Sequence, residues 1–419
     1  MSKIELKYGR GSIALDIDES RFSVLSREAS GVPLSDAEIG ERLDSPIASP
    51  GISELIQPGQ TVLIVVPDAT REVGCGQVVN LLVRRLIAEG VNAFDIRLIF
   101  ATGIHRKTTE AEKAAIVTPF IAQRIKMLDH DPRDLMRLTR LGETTGGIPI
   151  KLNRALVEHD HVILVGGVSF HYFAGFTGGR KLICPGLAST RTITGTHKLA
   201  FDTDRMDRRQ GVGPARLDGN PVHNAFVEAA SAAPPSFAVT TVVNDLGEII
   251  DLYCGDWIRS HRAACDAYAE QNRTVIAEKR GLVIAGCGGY PHDINMIQAH
   301  KALDAASKAC TPGGTIILLA ECPDGLGRAD MIDWFDAADT AEMAARLSEK
   351  YQVNGQTAWS IKKKCEDFDV ILVSSLAPDL AEKMGMTLSG SLSDAIEKAA
   401  HLSSGYVLTN GARTLIEVS

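Results

Sequence analysis

Residues 166–198, GGVSFHYFAGFTGGRKLICPGLASTRTITGTHK, place two imidazoles and a primary amine in one glycine-rich stretch: His171, Lys181 and His197. Imidazole gains and loses a proton near neutrality, and it also ligates nickel, zinc and copper. A lysine partly withdrawn from water has a lowered pKa and becomes a nucleophile able to form a covalent adduct. The turn Gly178-Gly179-Arg180-Lys181 could equally bind a phosphate, with Lys181 as the pairing cation, although the spacing of a Walker loop is absent. The plainer alternative makes two of the histidines core hydrogen-bonding groups.

Three shorter motifs carry further candidates. Asp68-Ala-Thr70-Arg71 offers an acid, a hydroxyl and a guanidinium fork suited to a phosphate or carboxylate. Asp68 or Thr70 could instead cap a helix, leaving Arg71 on the surface. Thr102-Gly-Ile-His105-Arg106 supplies a third histidine, a candidate acid or base. In Gly288-Gly-Tyr-Pro-His-Asp-Ile-Asn-Met-Ile-Gln298-Ala-His-Lys301, the amide of Gln298 and the ammonium of Lys301 are three residues apart. On a helix they share a face and suit a carboxylate with an adjacent oxygen; a solvated polar face is the other reading.

These motifs follow apolar runs that read as strands: residues 61–66, 96–100, 161–165 and 281–285. Residues 77–89 carry helical spacing, with Gly90 as the stop. Further strands are expected at 315–320, 369–374 and 406–408, the last free to join either sheet. Further helices are expected at 294–310, 329–350 and 392–400. The rhythm is βαβ, hence an α/β fold with mainly parallel sheets covered by helices. Ligands in such sheets bind at the carboxyl ends of the strands. The length of 419 residues calls for two domains. We place them at 1–275 and 276–419, divided in the polar stretch near 270–280.

Apolar residues make up 45% and charged residues 23%, as in an ordinary globular protein. The formal charge of −8 argues against nucleic acid or an anionic membrane as the partner. The opening residues lack the apolar core of a signal peptide, and no apolar run is long enough to span a bilayer. The eight cysteines form no CxxC pair, so buried thiols in a cytoplasmic protein are expected rather than disulfides or a cysteine zinc site.

Taken in order, DATR at 68–71, TGIHR at 102–106, SFHYFAGFTGGRKLICPG with TGTHK at 194–198, and GGYPHDIN with Gln298 and Lys301 resemble the nickel-pincer lactate racemase family. The resemblance implies two α/β domains with the active site in the cleft between them. It implies racemisation or epimerisation of a small 2-hydroxy acid, lactate-like or malate-like, by proton-coupled hydride transfer through a 2-keto acid. The implied cofactor is a nickel-pincer nucleotide, pyridinium-3,5-bisthiocarboxylic acid mononucleotide with nickel, attached covalently to Lys181 and loaded by dedicated biosynthetic enzymes. The resemblance makes His197 the nickel ligand and His105 and His171 the acid/base pair. It sets Arg71, Gln298 and Lys301 on the substrate, and Asp68, Thr70, Gly178 and Gly179 beside the cofactor. A monomer or small homo-oligomer is expected.

Three positions depart from the family's pattern. Ala69 stands where the lactate enzymes tend to carry histidine, Glu72 where proline often follows the arginine, and Ile297 where an aromatic precedes the glutamine. Arg106 and Arg180 are extra cations near these motifs, which suits a dicarboxylic substrate such as malate. Two rival readings use the same residues: a three-histidine zinc hydrolase or lyase built on His105, His171 and His197, and a non-catalytic protein that binds a phosphorylated ligand.

Overall fold

The computed structural model describes residues 2–25, 31–71, 73–402 and 404–419, so Glu72 lies outside the described residues. The chain forms two α/β units with mainly parallel sheets. The inner unit comprises Ala29–Ala200 and Gln210–Glu270. The terminal unit comprises Met1–Glu28, Phe201–Arg209 and Gln271–Ser419.

The inner unit is organised by a six-stranded sheet in the order Ile249–Gly255, Phe237–Val243, His161–Gly167, Val62–Pro67, Ile96–Ala101, Lys126–Leu128. All neighbours are parallel except Ile249–Gly255, which returns antiparallel on Phe237–Val243. Side-chain alternation sorts each strand between two apolar layers. Val62, Ile64 and Val66 enter one layer, whereas Leu63 and Val65 enter the other. The helix Cys75–Ala88 covers the first layer with Val78, Val79, Leu82, Val83 and Leu86. The second is covered by the helix Pro221–Ser231 and by Leu182, Ile183, Cys184 and Leu187 of the glycine-rich stretch. The core therefore fixes the segment that carries Lys181.

In the terminal unit the sheet runs Thr387–Ser389, Asp369–Val373, Cys310–Leu319, Arg280–Gly286, Gly405–Leu408, Phe22–Val24, all parallel. The helix Met296–Ala309 crosses between Arg280–Gly286 and Cys310–Leu319. An N-terminal hairpin, Ser2–Tyr8 with Gly11–Ile17, adds Leu6, Leu15 and Ile17 to the same core as Ile284 and Ile317.

Most expected elements are present within a residue or two, and residues 406–408 join the terminal sheet. Several details differ. Met1–Glu28 and Phe201–Arg209 belong with the C-terminal part, so the units are discontinuous instead of running 1–275 and 276–419. Backbone pairing of Phe22–Val24 with Gly405–Leu408 places the first segment. The second is held by Arg208 on Asp304 and by Phe201 against Trp359, ring centroids 5.3 Å apart. The polar stretch near 270 is no linker: it runs from the helix Arg259–Asn272 straight into the strand Arg273–Ile276. The helix expected over 329–350 is divided into a 3-10 segment, Ala329–Asp336, and a helix, Thr340–Glu349, because the Asp339 side chain caps a new start by accepting from the Glu342 amide at 2.8 Å. The strands Phe237–Val243 and Ile249–Gly255 and the helix Val353–Asp367 were not foreseen. All eight cysteines are free thiols, and every one except the half-buried Cys365 is buried.

Asp304 is buried between Lys364 Nζ at 2.9 Å and Arg208 at 3.1 Å. Burial opposes its charge, but the two cations outweigh burial and hold the carboxyl well below the usual range. A carboxyl with a depressed native pKa contributes stability that is complete above its unfolded pKa of about 3.9 and fades as the pH falls below it. Asp304→Ala leaves buried Lys364 without its counter-charge and should cost about 3–5 kcal/mol at pH 7. Urea unfolding should show the gap between variant and wild type narrowing below about pH 4.

Candidate active site

Strand order creates the site in the inner unit. The chain starts at Val62–Pro67, steps outward to Ile96–Ala101 and Lys126–Leu128, then returns to the other side of Val62–Pro67 as His161–Gly167. Loops leaving these two adjacent strands diverge, opening a crevice at their carboxyl ends. Asp68, Thr70 and Arg71 leave the first of the pair, and His171, Lys181 and His197 follow the second. His105 leaves the neighbouring Ile96–Ala101, and its loop is tied to the lysine segment by the Gly103 amide donating to the Gly186 carbonyl at 2.9 Å.

Phe173 gathers the central groups. Its ring lies 4.3 Å from that of His171, 5.0 Å from that of His197, and 5.5 Å from Lys181 Nζ, measured between centroids or to the centroid. Phe226, on the helix Pro221–Ser231, forms a second wall, 5.2 Å from Lys181 Nζ and 5.4 Å from the His197 ring. Lysine and histidine thus share two aromatic walls. Neither phenylalanine was singled out from the sequence. Phe226 sits in a helix with no polar motif beyond its Asn220 cap, and nothing in one sequence sets it apart from core.

His197 lies in the helix Thr190–Lys198 and is buried. Its Nδ1–H donates to the Ile193 carbonyl at 2.8 Å, which puts the ring's lone pair on Nε2. Burial pushes its pKa down to about 3, helped by the Lys181 ammonium and more weakly by His105, against the Ile193 hydrogen bond. The ring is therefore a neutral imidazole, the form that binds a metal.

Lys181 stands in the short 3-10 segment Gly179–Leu182, half-buried. The two glycines before it answer to packing. Gly178 and Gly179 have φ of +74° and +51°; a Cβ at Gly178 would lie 2.7 Å from the Gly167 carbonyl oxygen, and one at Gly179 would lie 2.6 Å from the His261 ring. Positive φ and absent space both demand glycine there.

The second cluster is a dyad. His105 Nδ1 lies 2.6 Å from Asp68 Oδ2, and the other carboxylate oxygen accepts from the Thr70 hydroxyl at 2.6 Å and the Thr70 amide at 3.0 Å. Burial works against ionisation of Asp68, yet His105, Thr70 and Arg71 together pull it down to about 2. Asp68 is thus a carboxylate at any working pH. It holds His105 with Nδ1 protonated and the Nε2 lone pair available as a base. No tie between Asp68 and His105 was evident from sequence. Half-buried Arg71 has its basicity lowered by burial and partly restored by Asp68; it stays cationic.

His171 is arranged the opposite way. Its Nδ1 faces the amides of Ala174 at 3.3 Å and Phe173 at 3.5 Å, so Nδ1 accepts and the ring proton sits on Nε2. In the terminal unit, Lys301 Nζ donates to Gln298 Oε1 at 2.6 Å on the helix Met296–Ala309, confirming that the two share a face. Ile297 packs on that unit's core.

The two extra arginines are otherwise engaged. Arg106 grips Glu112 through both guanidinium nitrogens, 2.8 and 2.5 Å, at the start of the helix Glu110–Val117. Arg180 is 1% exposed and donates to the Ala174 carbonyl at 2.7 Å. Among the described residues, no three His, Cys, Asp or Glu side chains converge on a metal site, so the three-histidine zinc alternative is not favoured. Also among them, no helix is long and apolar enough to cross a membrane.

The chain is similar to known proteins over most of its length. Residues 8–208 match the lactate racemase N-terminal domain, and residues 275–409 match the lactate racemase C-terminal domain. The lactate racemase of Lactiplantibacillus plantarum is 32% identical over 411 residues, covering 95% of each chain. That of Thermoanaerobacterium thermosaccharolyticum is 31% identical over 339 residues, covering 80% of this chain and 78% of its own. The solved structure of the lactate racemase apoprotein from the latter organism superposes with a TM-score of 0.90 at 27% identity, over 99% of this chain and 100% of that one. A Thermotoga maritima protein of solved structure shares the fold, with a TM-score of 0.72 at 21% identity over 94% of this chain and 100% of that one. The chain is an isomerase and belongs to the lactate racemase family.

Proposed function

We propose that the protein racemises a small monocarboxylic 2-hydroxy acid of the lactate type, using a nickel-pincer nucleotide held by Lys181 and His197. The observation that carries this reading is the shared Phe173–Phe226 chamber, which sets a primary amine beside a neutral imidazole with its lone pair on Nε2. These donors fit the group: an amine for a covalent link and one nitrogen ligand for nickel. When bound, the cofactor supplies a hydride acceptor, so the α-carbon can invert through a planar 2-keto acid without a carbanion.

The remaining steps belong to the chain. His105 Nε2, oriented by Asp68, takes the hydroxyl proton. His171 offers its Nε2–H to the substrate oxygen, and it returns a proton to that oxygen on reduction of the opposite face by entering the step as the imidazolium and leaving it neutral. The two imidazoles are opposite tautomers, so one turns a lone pair and the other an N–H toward the substrate at Nε2. Arg71, Gln298 and Lys301 hold the carboxylate and its neighbouring oxygen while the centre is planar. Because Arg106 and Arg180 are spent on Glu112 and on a backbone carbonyl, the cations that would favour malate are absent from this role. Cofactor-building enzymes are the implied partners.

Co-expression with those enzymes should give wild-type protein a covalent mass adduct and one nickel per chain, both lost in Lys181→Ala. No adduct and no nickel, from a host that loads a known family member, sinks the reading. Asp68→Asn should lower kcat about 10²–10⁴-fold with little change in KM or nickel content. Since Asp68 is held down to about 2, its own titration should contribute no acid limb to the kcat profile above pH 4. In a panel of 2-hydroxy acids, lactate should turn over at least tenfold faster than malate; the reverse order would require a second anion anchor.

A further inference from the structure

A cavity lies in the inner unit beside Arg180, the residue before Lys181. It encloses about 370 Å³ including its open mouth, with Leu217, Val227, Trp257 and Ile258 as apolar walls. Its polar lining is entirely basic or imidazole: Arg180, His223, His261 and Arg262. No part of the racemase reading uses it.

Arg180 makes this cavity unusual. Its side chain is among the largest fully buried in the protein, at 1% exposure, yet no carboxylate pairs with it. Its acceptors are two carbonyls, Ala174 at 2.7 Å and Gly178 at 3.4 Å. His261 Nε2 lies 3.2 Å away but also 2.8 Å from the Thr177 carbonyl. A nitrogen that donates to Thr177 has no lone pair left for the arginine. The Nε–H of Arg180 is buried and has no acceptor. Cys265 cannot act as counter-anion, because burial pushes its thiol up to about 12. The carboxylate of Asp218 is committed at the rim to Arg262, at 2.8 and 2.5 Å.

His223 repeats the pattern. Its Nδ1 is buried without a hydrogen-bond partner. Burial, then the charges of Arg180 and Arg262, push its pKa down to about 3 against the weaker pull of Asp218. The ring is neutral and can present an N–H. A buried charge is normally compensated, and a buried N–H normally has an acceptor. Here both groups belong to side chains that line one cavity.

We infer that this cavity is a binding site for a small organic monocarboxylate, its carboxylate received by Arg180 and His223 and its apolar body lying against Leu217, Val227 and Trp257. Two vacant donors match the two oxygens of a carboxylate. A phosphate would turn further oxygens toward apolar walls, with nothing to receive them. Occupation would bear on the turn below: the carbonyls that hold Arg180 belong to Ala174 and Gly178, which flank the approach to Lys181.

The test is calorimetric titration of the full chain with butyrate, which lacks a 2-hydroxyl, in parallel with butyramide and inorganic phosphate. The expected result is one butyrate per chain, retained in an Arg71→Ala/Lys301→Ala protein, with butyramide and phosphate at least tenfold weaker. Val227→Phe, a half-buried wall position, should fill the cavity and weaken butyrate at least tenfold while thermal unfolding stays as in wild type. Arg180→Met should do the same if it folds, and Val227→Phe decides the matter if it does not. The proposal is overturned by no butyrate binding to wild type, by loss of binding in the Arg71/Lys301 protein, or by unchanged binding in Val227→Phe. Butyramide or phosphate binding as tightly as butyrate overturns the ligand class.

Discussion

Parallel strands all point the same way, so their loops emerge at one edge, and a reversal of strand order parts those loops between two neighbours. In the inner unit that reversal falls between Val62–Pro67 and His161–Gly167. The arrangement of the chemistry follows from it. The loop with Asp68 leaves one strand, a glycine-rich loop with Lys181 leaves the other, and the sheet keeps them adjacent. The apolar layer beneath, where Leu182, Ile183 and Leu187 pack with Leu63, Val65 and Leu164, turns a long loop into a fixed platform.

On that platform the environment differentiates three chemically identical side chains. Burial and a neighbouring ammonium keep His197 neutral. A carboxylate on Nδ1 makes His105 a base at Nε2, and backbone amides on Nδ1 make His171 a donor at Nε2. The ring nitrogen that faces the protein decides what the other nitrogen can do. Asp68 serves this purpose because Thr70 satisfies its second oxygen, leaving it charged in a buried setting that would otherwise favour protonation.

Much of this was readable in advance, for physical reasons. Strand-end placement of Asp68, His105 and His171 follows from apolar runs that stop at turns, and the pairing of Gln298 with Lys301 follows from helical spacing. What escaped depends on three dimensions. The Asp68–His105 bond joins loops of different strands, and Phe173 and Phe226 carry no mark that separates a chamber wall from core. Arg106 and Arg180 looked like spare cations because a sequence does not show that Glu112 and the Ala174 carbonyl already occupy them. A contiguous division does not show that the hairpin Phe201–Arg209 packs with Asp304 and Trp359 inside the terminal unit.

The pairing of Phe22–Val24 with Gly405–Leu408 also sets an order of events during synthesis. The edge strand of the terminal sheet is made long before the strand it pairs with, so that edge closes only after Gly405–Leu408 has emerged. The inner unit can complete its six strands once residue 270 has emerged. Until the strands Arg280–Gly286 and Cys310–Leu319 have emerged, the hairpin of Ser2–Tyr8 with Gly11–Ile17, whose Leu6, Leu15 and Ile17 are destined for burial, has no sheet to cover. Such long-range closure is slow and leaves apolar surface open in the interim. The nascent chain therefore carries its own vulnerable stage, a folded inner unit flanked by an unfinished one, and chaperone dependence should be greatest there.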